Sequence, residues 1–372
     1  MQPKFATHLV LVSDQPVPSL LPLLDPDLGA QSVLLVATPA RQRHAQHLAE
    51  ALRSTNLEVS PVVILEQAYD ITYLYHIFRQ LIANYPANSV AANISGGNKL
   101  MSIAAYEVCK ENRQGIYYIN IETDSVQWIY PQHSHNHPLR APLRLENYLH
   151  ACGVELESIS RPDTTRAWLH IARELLRDSK LRSYVYHLLH NPDAMPNYLR
   201  DRANRIYLPQ LVNAKLISKH ADNLIPYSKD AKAFLGGLWL EILVYELLQE
   251  HSKNIQDIAH NLKVRWLPDG ASESVFNEFD IAVLSQNTLI LVECKSGSTK
   301  THADELRKVI FQLGRSRQKL GGLRGKAVLI SLHELSASLV SRCQDNGVVP
   351  ITGNGISDLR AKLIALIEGE HP

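Results

Sequence analysis

Residues 277–295, NEFDIAVLSQNTLILVECK, predict a β-hairpin around which the C-terminal part of the chain is organised. The two halves of this hairpin, residues 279–284 and 289–294, are apolar or β-branched, as expected of paired strands with a buried face. The four residues between them, SQNT, are polar and typical of a turn. The pattern therefore predicts two antiparallel strands with a tight connection.

The register of this hairpin brings charged side chains together on one face. If Leu284 pairs with Leu289 across the turn, the pairing continues outward until Asp280 stands opposite Glu293. Side chains opposed in this way lie about 5 Å apart. Because side chains alternate along a strand, Lys295 lies on the same face as Glu293.

Two opposed carboxylates favour a divalent cation. They repel each other unless a proton or a cation lies between them, and their hard oxygens suit Mg²⁺ or Mn²⁺. With a lysine beside it, such a site suits phosphodiester hydrolysis, because a bound metal acidifies water and an ammonium stabilises the charged transition state. The alternative is a surface hairpin in which Glu278 and Lys295 form a cross-strand ion pair, since the same register sets them opposite each other.

Residues 234–250, FLGGLWLEILVYELLQE, predict a largely buried helix with Glu241 in its middle. A buried carboxylate without a partner is costly, so we expect Glu241 to meet a metal, an arginine or a lysine. The alternative is a structural glutamate that is bonded to a tyrosine or to a backbone group.

The order of these residues resembles that of the PD-(D/E)-x-K nuclease superfamily, in which a helical acid precedes an Asp, a spacer strand and Glu-x-Lys. The resemblance implies a metal-dependent endonuclease that cleaves RNA, DNA or both. It assigns Glu241, Asp280, Glu293 and the carbonyl of Cys294 to Mn²⁺ or Mg²⁺, and Lys295 to the reacting water or phosphate. The first motif reads E-F-D without the proline of the family, so it supports the match only through its Asp.

Composition and length indicate an ordinary globular protein. The 372 residues suffice for two or three domains, and the net charge of +1 neither requires nor excludes a nucleic-acid partner. The four cysteines are far apart in sequence and form no C-x-x-C pair, which argues against a zinc ribbon or a disulfide framework. No stretch reads as a signal peptide or a membrane span, so we expect a cytoplasmic protein that does not enter a membrane.

The first 135 residues alternate between short apolar runs and amphipathic stretches, which predicts a parallel, Rossmann-like α/β sheet. The predicted strands are residues 8–13, 32–38, 59–65, 89–95 and 115–121, and the predicted helices are residues 41–54, 69–85 and 99–112. Residues 116–121 and 126–130 predict an antiparallel hairpin at one edge of the sheet.

Polar residues follow three of these strands, at the sheet edge where open α/β sheets bind ligands. They are Ser13, Asp14 and Gln15 after the first strand, Thr38 and Arg41 after the second, and Ser95, Gly96, Gly97, Asn98 and Lys99 after the fourth. The last group opens a helix, whose free N–H groups favour an anion, and its glycines let the backbone approach a ligand. A tight turn followed by a helix N-cap is the alternative interpretation of that group.

This joint pattern resembles the CRISPR-associated Rossmann fold (CARF) sensor domain, chiefly through the S-G-G-N-K loop. The resemblance implies a homodimer that binds a cyclic oligoadenylate, most often cyclic tetra-adenylate, as an allosteric activator. Residues 95–99 would hold ribose and phosphate, and Ser13, Asp14, Thr38 and Arg41 would contact bases or riboses. The assignments of Thr38 and Arg41 rest on their position at a strand end.

Residues 136–230 predict a helical connector that ends in a small hairpin, as in a winged-helix module. Its basic residues favour the solvated face of a spacer over a nucleic-acid surface, because no base-reading set stands out. Further on, residues 304–320 predict a helix with an apolar side and a basic side, and the basic side suits a phosphate backbone.

The whole chain thus resembles the CARF-fused PD-(D/E)-x-K effector nucleases of type III CRISPR immunity. The expected fold is α/β, with a Rossmann-like CARF domain in residues 1–135, the connector in 136–230 and a restriction-endonuclease-like α/β domain in 231–372. The competing hypotheses are a non-catalytic transcription regulator that responds to cyclic oligoadenylate, and a Rossmann enzyme that acts on a small nucleotide.

Overall fold

The computed structural model describes residues 4–132, 137–220, 223–250, 252–267, 272–297, 303–322 and 324–369. The chain divides into two compact units, Met1–Glu157 with Val264–Asn277, and Ser158–Lys263 with Glu278–Pro372. Among the described helices, none has both the length and the apolar character to cross a membrane.

The first unit is built on a sheet with a parallel centre. Its strands are β1 (Thr7–Leu11), β2 (Ser32–Ala37), β3 (Glu58–Val59), β4 (Val63–Ile64), β5 (Val90–Asn93), β6 (Gly115–Asn120), β7 (Ser125–Tyr130) and β8 (His137–Pro138). Their order is β3-β2-β1-β5-β6-β7-β8, and β4 also pairs with β2. Strands β1, β2, β5 and β6 are parallel, and β7 is antiparallel to β6. The predicted Rossmann-like sheet with its edge hairpin is confirmed.

Five helices accompany this sheet: α1 (Val17–Leu24), α2 (Gln42–Arg53), α3 (Ile71–Ile82), α4 (Lys99–Glu111) and α5 (Leu145–Ala151). The sequence analysis did not predict α1, because its sequence VPSLLPLL contains two prolines. Pro18 lies in the first turn, where the N–H groups have no partner within the helix, whereas Pro22 lies inside the helix. The single strand predicted over 59–65 is wrong: it is two short strands on either side of Pro61, which has no N–H to donate.

The second unit combines helices with a mixed sheet. Its helices are α6 (Arg166–Arg177), α7 (Ser179–His190), α8 (Asn197–Ile206), α9 (Leu208–Asn213), α10 (Lys229–Ala233), α11 (Trp239–Gln249), α12 (Ala303–Gly321), α13 (Ala337–Asp345) and α14 (Leu359–Ile367). The remaining strands are β9 (Glu155–Ser160), β10 (Ile217–His220), β11 (Asn223–Pro226), β12 (Ile255–Trp266), β13 (Val275–Ser285), β14 (Thr288–Lys295), β15 (Lys326–Ser331) and β16 (Val348–Thr352).

Six of these strands form a sheet in the order β16-β15-β14-β13-β12-β9, and β10 pairs with β11 in a separate hairpin. Strands β9 and β12 were not predicted from the sequence, although β12 is a long strand that borders the hairpin. Between Ser158 and Asn223, the helices α6–α9 precede the small hairpin that the sequence predicted. The boundaries proposed at residues 135 and 230 stay predictions.

The predicted hairpin and its register are confirmed in β13 and β14. Leu284 pairs with Leu289, and the pairing runs outward to Ile281 with Val292. Gln286 and Asn287 form the two-residue connection with φ angles of 47° and 56°, as the twist of a type I′ hairpin requires. Strand β14 then runs parallel to β15 in the middle of the sheet.

The helix predicted over residues 234–250 is not continuous. Helix α11 begins at Trp239, and residues 234–238 form a π-helical turn in which Gly237 has φ of 150°. A side chain at Gly237 would place its Cβ 2.9 Å from Ser296 Oγ. The glycine therefore lets the start of α11 approach the chain that follows β14.

Candidate functional site

The carboxyl end of β14 opens into a cavity of about 470 Å³. Glu241 from α11, Cys294 and Lys295 from β14, and Glu305 at the start of α12 line this cavity. The apolar residues of β13 and β14, such as Val283 and Val292, are fully buried in the core that they share with α11. This packing fixes the two strands and so the charged side chains that they carry.

Lys295 is paired with Glu293 rather than with Glu278. Lys295 Nζ lies 2.7 Å from Glu293 Oε1, whereas Glu278 Oε2 lies 3.3 Å from Lys263 Nζ. The cross-strand ion pair that a plain surface hairpin would form is therefore replaced by two other pairs. Lys295 is held beside the acid that precedes it by two residues, on the same face of the strand, as the sequence predicted.

Asp280 is largely buried, and its Oδ2 accepts a hydrogen bond from the Cys294 N–H at 2.7 Å. Burial, together with the charges of Glu293 and Glu241, raises the pKa of Asp280 to about 8. Burial also raises the pKa of Glu293 above its usual range, although the Lys295 ammonium opposes this. The three carboxylates therefore repel one another. In the absence of a cation, the site reduces this repulsion by keeping a proton.

The charge of Glu293 and its hydrogen bond raise the pKa of Lys295, although burial alone lowers it. The ammonium is thus kept charged next to the acids. Burial also raises the pKa of the Cys294 thiol well above its usual range, so this side chain is a neutral part of the core.

His260 of β12 is a functional candidate that the sequence analysis missed. Its side chain is buried, and its Nε2 lies 3.3 Å from Glu241 Oε2 without the geometry of a hydrogen bond. Tyr245 contacts the imidazole edge-on at 6.2 Å between ring centroids. Predicting β12 as a strand would have placed His260 in the sheet beside the hairpin, but no sequence pattern linked it to Glu241.

The donor set fits a hard divalent cation, because Glu241, Asp280 and Glu293 all offer carboxylate oxygens and share excess negative charge. Among the described residues, one group of three side chains brings its possible ligand atoms within 4.8 Å of one another. It consists of Asp25, Asp27 and His137 and lies elsewhere in the chain. The acids at the end of β14 are spaced more widely than that. Asp280 is turned towards a backbone N–H, and Glu293 towards Lys295.

Asp25 has structural partners that account for its burial. Its Oδ1 accepts a hydrogen bond from the Asp27 N–H at 2.9 Å and lies 3.3 Å from His137 Nε2. Its Oδ2 accepts a hydrogen bond from the Arg140 N–H at 2.5 Å. A carboxylate that is satisfied by several N–H groups ties together the chain segments that supply them.

The loops after β1 and β2 of the first unit meet through an ion pair. Arg41 Nε lies 2.7 Å from Asp14 Oδ1, and His44 Nε2 lies 3.7 Å from the same oxygen. The Ser13 hydroxyl accepts a hydrogen bond from the Gln15 N–H at 3.3 Å, which shapes the turn after β1. Thr38 precedes the short 3₁₀ turn that ends in Arg41.

The S-G-G-N-K loop lies against the end of β1. A Cβ at Gly96 would fall 2.0 Å from the Leu11 carbonyl oxygen, and Gly97 has φ of 69°. Ser95 Oγ donates to Asn93 Oδ1 at 2.6 Å and accepts from the Ile119 N–H at 2.8 Å. The glycines therefore serve a close backbone approach, and Ser95 holds the loop to β5 and β6.

Asn98 is the N-cap of α4, as one interpretation of the sequence proposed. Its Oδ1 accepts a hydrogen bond from the Met101 N–H at 2.9 Å, and its Nδ2 donates to the Ala68 carbonyl at 2.8 Å. The side chains of Ser95 and Asn98 are thus used within the fold. Gly97 and Lys99 are exposed beside them, where the free N–H groups of the helix also lie.

Comparison with protein families identifies both halves of the chain. Residues 7–148 match the Card1 CARF domain, and residues 228–367 match the Card1-like endonuclease domain. The chain belongs to the CARF-domain nucleases. It joins a Rossmann-like CARF domain to a restriction-endonuclease-like domain, as the sequence predicted.

Solved structures similar to this CARF nuclease share its fold along the whole chain. Protein VC1899 from Vibrio cholerae is 22% identical, with a TM-score of 0.83 and 98% of each chain covered. Can2 from Sulfobacillus thermosulfidooxidans, in complex with cyclic tetra-adenylate, is 22% identical, with a TM-score of 0.75 and 97% of each chain covered.

A third structure, of a type III CRISPR defence DNA nuclease activated by cyclic oligoadenylate, is 18% identical with a TM-score of 0.57. The match covers 95% of this chain and 49% of that one. Comparison with curated proteins gives no significant match. At these identities the similarity to solved structures concerns the fold.

Replacing Gly96 by alanine tests the close approach of the loop to β1. Because the new Cβ would lie 2.0 Å from backbone oxygen, we expect Gly96→Ala to cost about 3 kcal/mol or more of stability. Thermal unfolding followed by circular dichroism measures the loss. Gly236→Ala is the control, since a Cβ there meets nothing within 4 Å and its melting temperature should be unchanged or higher.

The raised pKa of Asp280 predicts how the stability of the metal-free protein depends on pH. Between about pH 4 and pH 8 the unfolded chain releases the Asp280 proton while the folded chain keeps it, so the free energy of unfolding falls as pH rises. Asp280→Asn should remove this part of the slope and raise stability at pH 8 by about 1–3 kcal/mol. Urea denaturation in the presence of EDTA measures both effects.

Glu278→Gln is the matched control for this experiment, because Glu278 is exposed and paired with Lys263. It should leave the slope between pH 4 and pH 8 as in the unmodified protein. An equal slope in Asp280→Asn and the unmodified protein would contradict the buried-acid interpretation.

Proposed function

We propose that the protein is a metal-dependent endonuclease that a cyclic oligoadenylate switches on in type III CRISPR antiviral defence. The observation that carries this proposal is the group of interacting acids around Lys295 at the end of β14, within a domain of the Card1-like endonuclease family. The family membership of residues 7–148 as a Card1 CARF domain supports the regulatory half.

The metal would be held by Glu241, Asp280, Glu293 and the carbonyl of Cys294. When bound, Mn²⁺ or Mg²⁺ supplies a Lewis acid that draws charge from the scissile phosphate and acidifies water. Glu293 keeps the Lys295 ammonium charged and oriented at 2.7 Å, so that Lys295 can stabilise the negative charge that develops on the phosphate. The Cys294 N–H holds Asp280 in place by its hydrogen bond.

The nucleic-acid substrate, RNA or DNA, would be gripped by the basic side of α12. Lys308, Gln312, Arg315 and Lys319 are exposed on this helix, while Leu306, Ile310 and Leu313 face the core. Amphipathic packing therefore directs the basic side outward, where it can contact phosphates.

The activator would bind at the strand ends of the CARF domain. Ser13, Asp14, Gln15, Thr38 and Arg41 and the loop Ser95–Gly96–Gly97–Asn98–Lys99 supply the polar groups there. Can2, which shares the fold, is known in complex with cyclic tetra-adenylate, and this supports the same ring as the activator here. A cyclic ligand of that symmetry fits a homodimer with two such edges facing each other.

Cleavage assays test the two halves of the proposal together. Single-stranded RNA, single-stranded DNA and supercoiled plasmid are incubated with Mn²⁺, with and without cyclic tetra-adenylate. We expect cutting that depends on the activator and falls about 100-fold or more in Glu293→Gln and Lys295→Met, because each removes a group that acts on the transition state.

Glu278→Gln, which removes an exposed carboxylate from the same hairpin, should retain activity. Tight activator binding without cutting of any substrate would instead favour the transcription regulator. Cutting that is insensitive to the activator would separate the nuclease from the sensor.

The second test concerns His260, which lies 3.3 Å from Glu241. His260→Phe removes a polar side chain beside this carboxylate, so we expect the affinity for Mn²⁺ to fall about 10- to 100-fold. Titration calorimetry of the metal alone measures this without reference to cleavage. His170→Phe, at an exposed position of α6, is the control, and equal affinities in the two variants would contradict the role of His260.

A further inference from the structure

A second cavity, of about 640 Å³, adjoins the one at the end of β14. The two share Gly236, Ser296 and Gly297 in their linings, so they are neighbours separated by these small residues. All of the lining residues belong to the second unit of the chain. A substrate whose phosphate lay among the acids would therefore place its neighbouring groups in this second space.

We name this space the base pocket and define it by Tyr186, His190, Leu235, Trp239, Ser296 and Leu332. Its volume lies within the range of about 300–1,000 Å³ that is usual for small-molecule sites. Leu235 and Trp239 are buried and give it an apolar wall, while Ser296 and His190 offer polar groups at its edge. An apolar wall with a few polar groups is the surface that a flat heterocycle prefers.

Tyr186 supplies an aromatic face that the fold leaves uncovered. Its side chain is 60% exposed, although a tyrosine ring gains from burial. The ring stacks on His190, with 4.8 Å between centroids and 24° between planes. Because the Tyr186 carbonyl can only accept, His190 donates its Nδ1–H to that oxygen at 3.0 Å, which fixes the imidazole under the tyrosine.

Gly236 lines the base pocket and faces open space. A Cβ at Gly236 would meet nothing within 4 Å, and Gly236 lies in the π-helical turn before Trp239. The turn that lets α11 approach Ser296 thus also leaves space between α7 and α11. This space lies between Tyr186 and the cavity that Glu241 and Lys295 line.

A third cavity, of about 1,000 Å³, continues from the base pocket and shares Arg182 and Leu332 with it. Arginines dominate its polar lining: Arg173, Arg177, Arg182 and Arg360, with Glu250 as the acid among them. Arg173 lies 2.8 Å and Arg360 3.7 Å from Glu250, so one carboxylate faces several guanidinium groups. The excess positive charge suits the next phosphates of a strand.

We propose that the base pocket binds an unpaired nucleobase of the substrate strand, next to the scissile phosphate, by stacking it on Tyr186. The proposal rests on the proposed nuclease function and adds a subsite for one unpaired base to the same site. In a duplex the base faces are covered by their neighbours, so a paired base enters such a pocket only after leaving the stack. RNA and DNA bases offer the same flat face to the tyrosine, so the proposal applies to both kinds of strand.

Binding of oligonucleotides tests the pocket without cleavage. Fluorescence anisotropy with the full-length protein in EDTA compares oligothymidylate and oligouridylate with an abasic strand of the same length. We expect Tyr186→Ala to bind the two base-bearing strands about tenfold more weakly, as loss of one stacked base predicts, and to bind the abasic strand as the unmodified protein does. Tyr186→Phe, which keeps the ring, should restore binding.

Tyr198→Ala is the control, because this tyrosine of α8 is 76% exposed and lies outside the lining of the base pocket. It should bind all strands as the unmodified protein does. Equal binding of base-bearing strands by Tyr186→Ala and the unmodified protein would overturn the proposal. So would an equal loss on the abasic strand, because the loss would then concern the backbone.

Cleavage of the same strands with Mn²⁺ and cyclic tetra-adenylate separates this proposal from the nuclease proposal. Failure of the unmodified protein to cut any strand would count against the nuclease function, while the anisotropy measurements would still decide the base pocket. If the unmodified protein cuts, Tyr186→Ala should lose about tenfold in kcat/KM on base-bearing strands and little on a strand that is abasic at the cut site.

Discussion

Repulsion among carboxylates in a poorly solvated cavity is the constraint on which the catalytic half of this protein depends. Asp280 and Glu293 lie on the paired strands β13 and β14 next to their buried apolar segments, and the charge of Glu241 on α11 acts on both carboxylates. The raised pKa of Asp280 expresses the free energy that this arrangement costs in the absence of a cation. Lys295 offsets part of it through Glu293. A divalent cation would offset the rest, which is why these acids indicate a functional site.

The close approach of α11 to the end of β14 rests on small residues. Gly237, with φ of 150°, leaves no room for a side chain beside Ser296, and Gly236 faces open space. The same short segment therefore brings Glu241 to the acids and leaves the base pocket open between α7 and α11. A regular helix through residues 234–238 would present different side chains to the cavity.

Glycine has a similar role in the CARF domain, at the end of a parallel strand. Gly96 passes the Leu11 carbonyl at a distance that excludes any Cβ, so the loop after β5 lies beside the loop after β1. The fold thereby collects Asp14, Arg41 and Lys99 near one edge of the sheet, which is where open α/β sheets bind ligands. In both domains, a glycine lets a segment of the chain come close to the end of a strand beside the candidate site residues.

The sequence by itself determined the elements whose signals are local. Two apolar runs joined by a short polar turn specified the register of β13 with β14, because the length of the turn sets which residues face each other across it. Strands separated by amphipathic helices specified the parallel sheet, and Asn98 marked the start of α4. The resemblance of short motifs to two families then identified both domains, since those motifs lie within single turns and strands.

Only the tertiary structure decided which distant residues meet. His260 beside Glu241, Glu278 with Lys263, and the stacked Tyr186 at the wall of a cavity carry no periodic signal in the sequence. The break of the predicted helix at Gly237 follows from its contact with Ser296, which is far away along the chain. Local propensity cannot specify such features, because their energies come from packing between elements that the chain brings together only on folding.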